Sequence, residues 1–299
     1  YPAPECTVLR EKIGQRENIQ PEHIICGNGA ADLIFRTVFA AKPKKALLLA
    51  PTFSEYEKAL SAAGCEINFY ALKEENDFAL GDDYINVLEG GYDIVFLCSP
   101  NNPTGGELSE QCLLEIVTRC KRLGILPVID MSFADFSENT VSANVLAEAG
   151  AAVIKAFTKI YAMPALRLGY MLCCDEDLLG KVSLAGQSWS VNSLAQAAGA
   201  AALDDSDFIG RTVEYISRER RFLTEKFGAM GIKTYPAAAN FILLKSEHDL
   251  ADIAMESGIA LRRCENFCGL DGSFFRTAVR SHEDNIELVM ALERGLLNG

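Results

Sequence analysis

Residues 93–130 read DIVFLCSPNNPTGGELSEQCLLEIVTRCKRLGILPVID, and this stretch decides the fold class. An apolar run of strand length is followed by a segment with helical periodicity and then by a second apolar run. Strands that alternate with helices in this way indicate βαβ units. Because the crossover helices of such units cover both faces of the sheet, we predict an α/β fold with a mainly parallel, buried sheet.

The same alternation extends on both sides, from HIIC at 23–26 to LGYMLCC at 168–174. It breaks near residues 204–205, after which one long amphipathic helix is predicted from Arg211 to about Met230. We therefore predict a large α/β domain over residues 1–208 and a smaller α+β C-terminal domain over residues 209–299.

Composition excludes several classes of partner. The chain has 299 residues and a net charge of −13, from 28 basic and 41 acidic side chains, which argues against nucleic acid and anionic membranes. No apolar run reaches the ~18 residues of a membrane span, and no signal peptide opens the sequence. The ten cysteines are scattered and the three histidines form no ligand-spaced cluster with them. We expect reduced cysteines, no metal and a cytoplasmic protein.

Polar residues follow several predicted strands, where open α/β sheets bind their ligands. Residues 27–30, GNGA, join a strand to a helix and are either a phosphate-binding turn or an ordinary one. Residues 99–105, SPNNPTG, form a turn stiffened by two prolines, which either fixes an asparagine amide for binding or only shapes the chain. Asp130 ends a buried strand, so it needs a cationic partner unless it caps the next helix.

Basic side chains also interrupt apolar runs. Lys159 closes AAVIKAFTK and is a candidate for Schiff-base chemistry, with Lys155 as its rival, although either could be a solvated lysine. In FFRTAVR, Arg276 and Arg280 suit a carboxylate or phosphate ligand, or surface ion pairs. Arg262 and Arg263 belong to the same C-terminal arginine cluster.

Taken in order, GNGAADL, PTFSEYEKA, SPNNPTG, ID-x-x-F, TK-x(7)-R-x-G and FFR resemble the fold-type I pyridoxal-phosphate enzymes. More closely, they resemble the branch that holds histidinol-phosphate aminotransferase and threonine-phosphate decarboxylase. The resemblance covers nearly the whole chain. It implies a seven-stranded α/β/α large domain with a smaller α+β domain, pyridoxal 5′-phosphate as the cofactor, a small phosphorylated amino acid as the substrate, and a homodimer.

The resemblance also implies roles for individual residues. Lys159 would form the Schiff base with the cofactor, Asp130 would pair with the ring nitrogen, and Tyr56 would stack on the ring. Asn102 would hydrogen-bond the ring's 3-oxygen and face the substrate. The remaining contacts to the cofactor would come from Gly29, Ala30, Thr158, Arg167 and, from the neighbouring subunit, Tyr1. The substrate's carboxylate would bind Arg276 and its phosphate would bind Arg263.

Three stretches, 51–60, 187–203 and 263–280, resemble the decarboxylase more than the aminotransferase. They imply decarboxylation of L-threonine O-3-phosphate to an aminopropanol phosphate in cobalamin biosynthesis. The alternative is an aminotransferase for histidinol phosphate or a related amino acid. A non-catalytic protein that only retains the fold conflicts with the intact set of Lys159, Asp130, Asn102 and Arg276.

The sequence departs from the family pattern at four places. Met131 stands where an acidic residue is usual, Ser132 where alanine is usual, and Ala156 where a hydroxyl residue is frequent. Relatives also carry an N-terminal segment before the Tyr-Pro motif that opens this sequence, so we expect the small domain to be without that share.

Overall fold

A seven-stranded sheet forms the centre of the larger part of the molecule. The computed structural model describes residues 1–139 and 141–298. The strands of this sheet are β1 (Ile24–Gly27), β2 (Lys45–Ala50), β3 (Glu66–Ala71), β4 (Ile94–Cys98), β5 (Leu126–Asp130), β6 (Ala152–Ala156) and β7 (Gly169–Leu172). Their order is β1-β7-β6-β5-β4-β2-β3. Only β7 runs antiparallel to its neighbours, so the mainly parallel sheet is confirmed.

Helices cover both faces of this sheet. They are α1 (Thr7–Glu17), α2 (Ala30–Ala41), α3 (Ser54–Ala62), α4 (Tyr84–Val87), α5 (Glu110–Leu123), α6 (Ala143–Ala149), α7 (Phe157–Ile160), α8 (Glu176–Leu184) and α9 (Ser193–Ala202). Successive side chains of β4 enter opposite cores, since Val95 and Leu97 share a cluster with α5 whereas Phe96 shares one with α2 and α3. The central strands therefore read as continuous apolar runs.

A second, smaller sheet follows. Its strands are β8 (Lys233–Thr234), β9 (Phe241–Lys245), β10 (Arg262–Arg263) and β11 (Phe274–Ala278), in the antiparallel order β10-β11-β9-β8. Three helices complete this part: α10 (Phe208–Ala229), α11 (Leu250–Met255) and α12 (His282–Asn298). The smaller domain with its own sheet is confirmed, and a boundary at residue 208 stays a prediction. None of the helices within the described ranges is long and apolar enough to cross a membrane.

The small sheet is tied to the large domain through the loop that follows β3. Glu74 accepts hydrogen bonds from Lys245 Nζ at 2.7 Å and from the Tyr235 hydroxyl at 2.8 Å. The hydrogen bond from Lys245 is the main reason that the pKa of the Glu74 carboxyl falls to about 2. Beside it, the Phe78 ring packs against Tyr235 and Phe274. These contacts hold the small sheet against the large domain at the loop after the carboxyl end of β3.

Candidate active site

A cavity of about 220 Å³ lies beyond the carboxyl ends of β4, β5 and β6. It brings together seven of the residues predicted from the sequence, which come from both domains: Ala30, Asn102, Asp130, Thr158, Lys159, Arg167 and Arg276. Ser132, Phe133 and Phe53 also line it. The position agrees with the rule that α/β sheets bind ligands at this edge.

Asp130 is the acid at the bottom of the cavity. It is the last residue of β5, it is buried, and its Oδ1 accepts a hydrogen bond from the Ser132 backbone N–H at 2.9 Å. The Tyr56 hydroxyl donates to Oδ2 at 2.7 Å. Burial raises the pKa of the Asp130 carboxyl, and hydrogen bonds from Ser132 and Tyr56, with the charge of Lys159, oppose that rise. A cationic N–H in the cavity would be the natural partner of this carboxylate.

The structure places Tyr56, predicted to stack on the cofactor ring, behind Asp130 and outside the cavity lining. Its side chain is fully buried, its ring is stacked on Phe96 at 5.0 Å, and it does not line the cavity. Phe53, three residues earlier in the same motif, contributes the aromatic ring on this wall. Burial, and then Asp130, raise the pKa of Tyr56, so its hydroxyl stays protonated and supports Asp130 from behind.

Lys159 is the amine of the cavity. It lies in α7, directly after β6, and its Nζ is 5.3 Å from the centre of the Phe133 ring. Burial and then the Arg276 guanidinium lower the pKa of Lys159, while Asp130 acts in the opposite direction. A lysine with a lowered pKa carries a larger neutral fraction and is a better nucleophile toward an aldehyde.

The rival lysine has a different environment. Lys155 is buried, and its Nζ lies 2.9 Å from Glu17 Oε1 and 3.1 Å from Asp135 Oδ1. Burial acts against its charge, but Asp135 and Glu17 outweigh it and raise the pKa of Lys155. Lys155 is therefore held as a cation inside a buried ion-pair cluster. Of the two lysines, Lys159 is the one that lines the cavity.

The start of α2 and Arg167 form an anion site at one end of the cavity. Gly29 precedes the helix with a φ of 86°, and a Cβ atom there would lie 2.9 Å from a terminal nitrogen of Arg167. A Cβ atom on Gly169 would lie 2.7 Å from the backbone nitrogen of Ala30. The two glycines let β7 and the guanidinium approach the first helical turn closely. Free backbone N–H groups beside a guanidinium suit a phosphate.

Arg276 and Asn102 form the wall between the two domains. The Arg276 guanidinium donates a hydrogen bond to Asn102 Oδ1 and lies 4.9 Å from the Phe241 ring. Asn102 is held in place by its turn, since Asn101 Nδ2 donates to the Pro51 carbonyl at 3.0 Å. Because Oδ1 of Asn102 accepts from Arg276, its amide nitrogen is the atom that can donate into the cavity.

The structure places Arg263, predicted to bind the substrate phosphate, away from Arg276. In the pairing of β10 with β11, Arg262 stands opposite Arg276 and Arg263 stands opposite Phe275. Directly opposite residues of antiparallel strands share a face, so Arg262 lies on the side of Arg276 and Arg263 on the other side. There Arg263 forms ion pairs of 2.5 and 2.7 Å with the acids of α11, Asp249 and Asp252. Side chains alternate between the two faces of a strand, so Arg262 and Arg263 face opposite sides. Only the pairing register of β10 with β11 shows which of the two shares a face with Arg276.

Tyr1 lies away from the cavity of its own chain. It is fully exposed, and its ring centre is 5.2 Å from that of Trp189.

In the described ranges no group of three or more His, Cys, Asp or Glu side chains is placed to hold a metal.

The donors of the cavity fit pyridoxal phosphate part by part. The anion site suits its phosphate, Asp130 suits a protonated ring nitrogen, and the Lys159 amine suits its aldehyde. The side chains of Ser132 and Phe133 line the space that a ring would fill. The residues of the cavity could thus hold an aldehyde cofactor, with Lys159 as the amine.

The family of the chain follows from comparison with known proteins. The model of the family "Aminotransferase class I and II" matches residues 1–292, and the chain belongs to this family. It is a pyridoxal-phosphate-dependent enzyme of the aminotransferase or decarboxylase type. This confirms the family, the fold class and the cofactor that the sequence motifs implied.

Similar proteins include members with both activities. The chain is 35% identical to threonine-phosphate decarboxylase from Salmonella typhimurium, over 100% of this chain and 84% of that protein. It is 30% identical to histidinol-phosphate aminotransferase from Methanosarcina mazei, over 98% and 79% of the two chains. The structure of histidinol-phosphate aminotransferase from Clostridium acetobutylicum superposes with a TM-score of 0.93 at 27% identity, covering 100% and 91%.

Gly29→Ala is expected to weaken binding of pyridoxal phosphate about tenfold or more, because the new methyl group displaces Arg167 from the anion site. Gly64→Ala is the matched control, since Gly64 also has a positive φ, of 71°, but no atom lies within 4 Å of the added Cβ. Gly29 also has a ψ of 166°, in a region that essentially only glycine adopts, so its variant should melt at the lower temperature, and both affinities are measured well below the two melting temperatures. Titration of the apoprotein with cofactor measures the difference, and equal affinities in the two variants would contradict the role of Gly29.

Proposed function

We propose that the protein decarboxylates L-threonine O-3-phosphate to an aminopropanol phosphate, a step of cobalamin biosynthesis. The observation that carries the proposal is the 35% identity to a threonine-phosphate decarboxylase along the whole chain. In this reaction the bond from the α-carbon to the carboxylate breaks, carbon dioxide leaves, and a proton takes the place of the carboxylate. The bound cofactor supplies an electron sink for the electrons of the broken bond.

Each of four residues of the cavity would have a separate role in this reaction. Asp130, buried and fixed by Tyr56, would keep the ring nitrogen protonated. Lys159 would hold the cofactor, and its Nζ would deliver the proton to the α-carbon of the substrate. Arg276 would bind the substrate carboxylate through its guanidinium. Phe53 would cover one face of the ring and keep water away from it.

Arg262 replaces Arg263 as our candidate for the substrate phosphate. Arg262 stands directly opposite Arg276 across the strand pair, whereas Arg263 is engaged by two carboxylates on the other face. Two adjacent guanidiniums on one face suit a substrate with two anionic groups, and threonine phosphate carries a carboxylate and a phosphate. This local positive charge exists within a protein whose net charge is −13.

An assay for carbon dioxide release from threonine phosphate by the cofactor-loaded protein tests the proposal. We expect release that depends on threonine phosphate and is absent with threonine. The second candidate, an aminotransferase reaction on histidinol phosphate or a related amino acid, is favoured by the TM-score of 0.93 to a histidinol-phosphate aminotransferase. Amino transfer without carbon dioxide release would replace the first proposal by the second.

Arg262→Ala is expected to raise the KM for threonine phosphate about tenfold or more, with a smaller change in kcat, because it removes a charge-assisted contact to a part of the substrate that does not react. Arg263→Ala is the matched control and should leave KM within about twofold, since its partners are exposed acids. Steady-state kinetics on both variants decide between the neighbours. A larger KM effect at Arg263 would reverse the assignment.

We also infer a homodimer in which Tyr1 reaches the cofactor phosphate of the partner subunit. The exposed ring of Tyr1 beside Trp189 supports this, as do the exposed apolar side chains of Leu184 and Leu194. Sedimentation of the protein at micromolar concentration gives its oligomeric state, and a monomer would contradict the inference.

A further inference from the structure

The aromatic ring of Phe241 packs against the guanidinium of Arg276. The central carbon of the guanidinium lies 4.9 Å from the centre of this ring, and Phe241 is only 4% exposed. The register of the small sheet produces this contact. Arg276 stands opposite Leu243 in the pairing of β11 with β9, and Phe241 lies two residues before Leu243, on the same face. A diagonal pair of this kind is within reach of an aromatic ring and a long side chain.

The Arg276 guanidinium has few other contacts to fix it. It donates a hydrogen bond to Asn102 Oδ1. Burial lowers the pKa of Arg276, and no carboxylate opposes this effect in the described part of the chain. An aromatic face stabilises a buried cation of this kind and uses none of its N–H donors. The N–H groups that Asn102 does not accept from therefore stay free for the carboxylate of a ligand.

The Phe241 ring is itself held by a ring of the large domain. Phe133, in the loop after β5, packs against it with 5.1 Å between the ring centres and an interplanar angle of 87°. Edge-to-face pairs have a preferred geometry, so Phe133 helps to fix the direction of the Phe241 face. Lys159 Nζ lies 5.3 Å from the centre of the Phe133 ring. The two rings thus form a continuous row from Lys159 in the large domain to Arg276 in the small domain.

We propose that Phe241 is a positioning residue whose ring holds the Arg276 guanidinium toward the cavity, so that the substrate carboxylate meets a cation that is already oriented. The effect is on affinity, because a side chain that is fixed beforehand loses less conformational freedom when a ligand binds. It applies only to ligands that carry a carboxylate. The assignment rests on the proposed role of Arg276 in binding the substrate and is independent of which bond breaks.

Two variants, Phe241→Leu and Phe241→Met, fill the space with aliphatic side chains and remove the ring face. Phe275→Leu is the matched control, since Phe275 is buried in the same sheet and lies 6.0 Å from the guanidinium of Arg263, on the other face. With the cofactor loaded, we expect both Phe241 variants to bind threonine phosphate about threefold to tenfold more weakly than the wild type. Their affinity for aminopropanol phosphate, which has no carboxylate, should stay within about twofold, and the control should change neither.

A second measurement needs no substrate. Burial and then the charge of Arg276 lower the pKa of Lys159. A guanidinium that swings away from the cavity should therefore let a proton stay on the Lys159 nitrogen to a higher pH, while Asp130 and Arg167 keep their places. In the cofactor-loaded Phe241 variants we expect the pH midpoint of the visible absorption change to rise by about half a pH unit, and in Phe275→Leu to stay at the wild-type value.

An equal loss of affinity for the two ligands, or wild-type affinity for both, would overturn the proposal. So would an unchanged midpoint, or the same rise in the Phe275 control. Thermal melting shows that each variant is folded. A wild-type protein that binds no threonine phosphate would overturn the proposed reaction, and the midpoints would then decide the role of Phe241.

Discussion

Lys159→Ala is expected to reduce turnover about a thousandfold or more, because it removes the amine that we propose both holds the cofactor and moves the proton. Its side chain extends into the cavity and takes no part in the buried ion-pair cluster. The free energy of unfolding should therefore change by less than about 0.5 kcal/mol. Carbon dioxide release and chemical denaturation measure the two quantities separately.

Covalent attachment of the cofactor gives a second test of Lys159. After reduction with borohydride, the wild-type protein should carry the cofactor covalently on the peptide that contains residues 153–167, and the Lys159→Ala protein should carry none. Attachment at Lys155 in either protein would contradict the assignment of the nucleophile. A variant with wild-type turnover would remove Lys159 from the mechanism altogether.

Lys155→Met, four residues earlier, is expected to keep cofactor attachment at Lys159. It should lower the free energy of unfolding by about 3–5 kcal/mol. The substitution leaves the carboxylates of Glu17 and Asp135 together without the cation that lies 2.9 and 3.1 Å from them. The Glu17 side chain is only 9% exposed, so water cannot replace the lost partner fully. Denaturant unfolding at neutral pH, followed by circular dichroism, measures the loss.

Lys12→Met is the matched control for that experiment. Lys12 pairs with Asp204, whose side chain is 66% exposed, so its removal should cost no more than about 1 kcal/mol. A loss of similar size in the two variants would mean that the Lys155 cluster behaves as a surface ion pair. The folded fraction of the Lys155→Met protein should still attach the cofactor at Lys159.

The part of the site that could be predicted from sequence is the part determined by strand ends. Asp130 closes an apolar run and Lys159 directly follows another, so the position of each along the chain places it at the ligand-binding edge. The ordered motifs then identify pyridoxal phosphate as the cofactor. The sequence alone could not exclude Lys155 as the cofactor-binding lysine. The choice between Lys155 and Lys159 depends on β6 ending at Ala156, where the chain turns into α7.

The positions of Tyr56 and Arg263 differ from the predicted ones for a related reason, since each depends on which side of an element faces the cavity. Phe53 precedes α3 and Tyr56 lies in its first turn, so a small rotation of that helix decides which ring is exposed. Arg262 and Arg263 differ by one position in a strand, and a difference of one residue exchanges the two faces. Neither choice is encoded in local periodicity, because both depend on tertiary packing.

Because Arg262 and Arg263 are neighbours in β10, the length of the loop after this strand decides which of them lies beside Arg276. Residues 264–273 connect β10 to β11 and set the alignment that puts Arg262 beside Arg276. A deletion of one residue from this connection would slide β10 by one place and turn Arg263 toward the ligand, leaving Arg262 against the acids of α11. Variation in loop length could thus alter ligand preference while every side chain that lines the cavity stays the same.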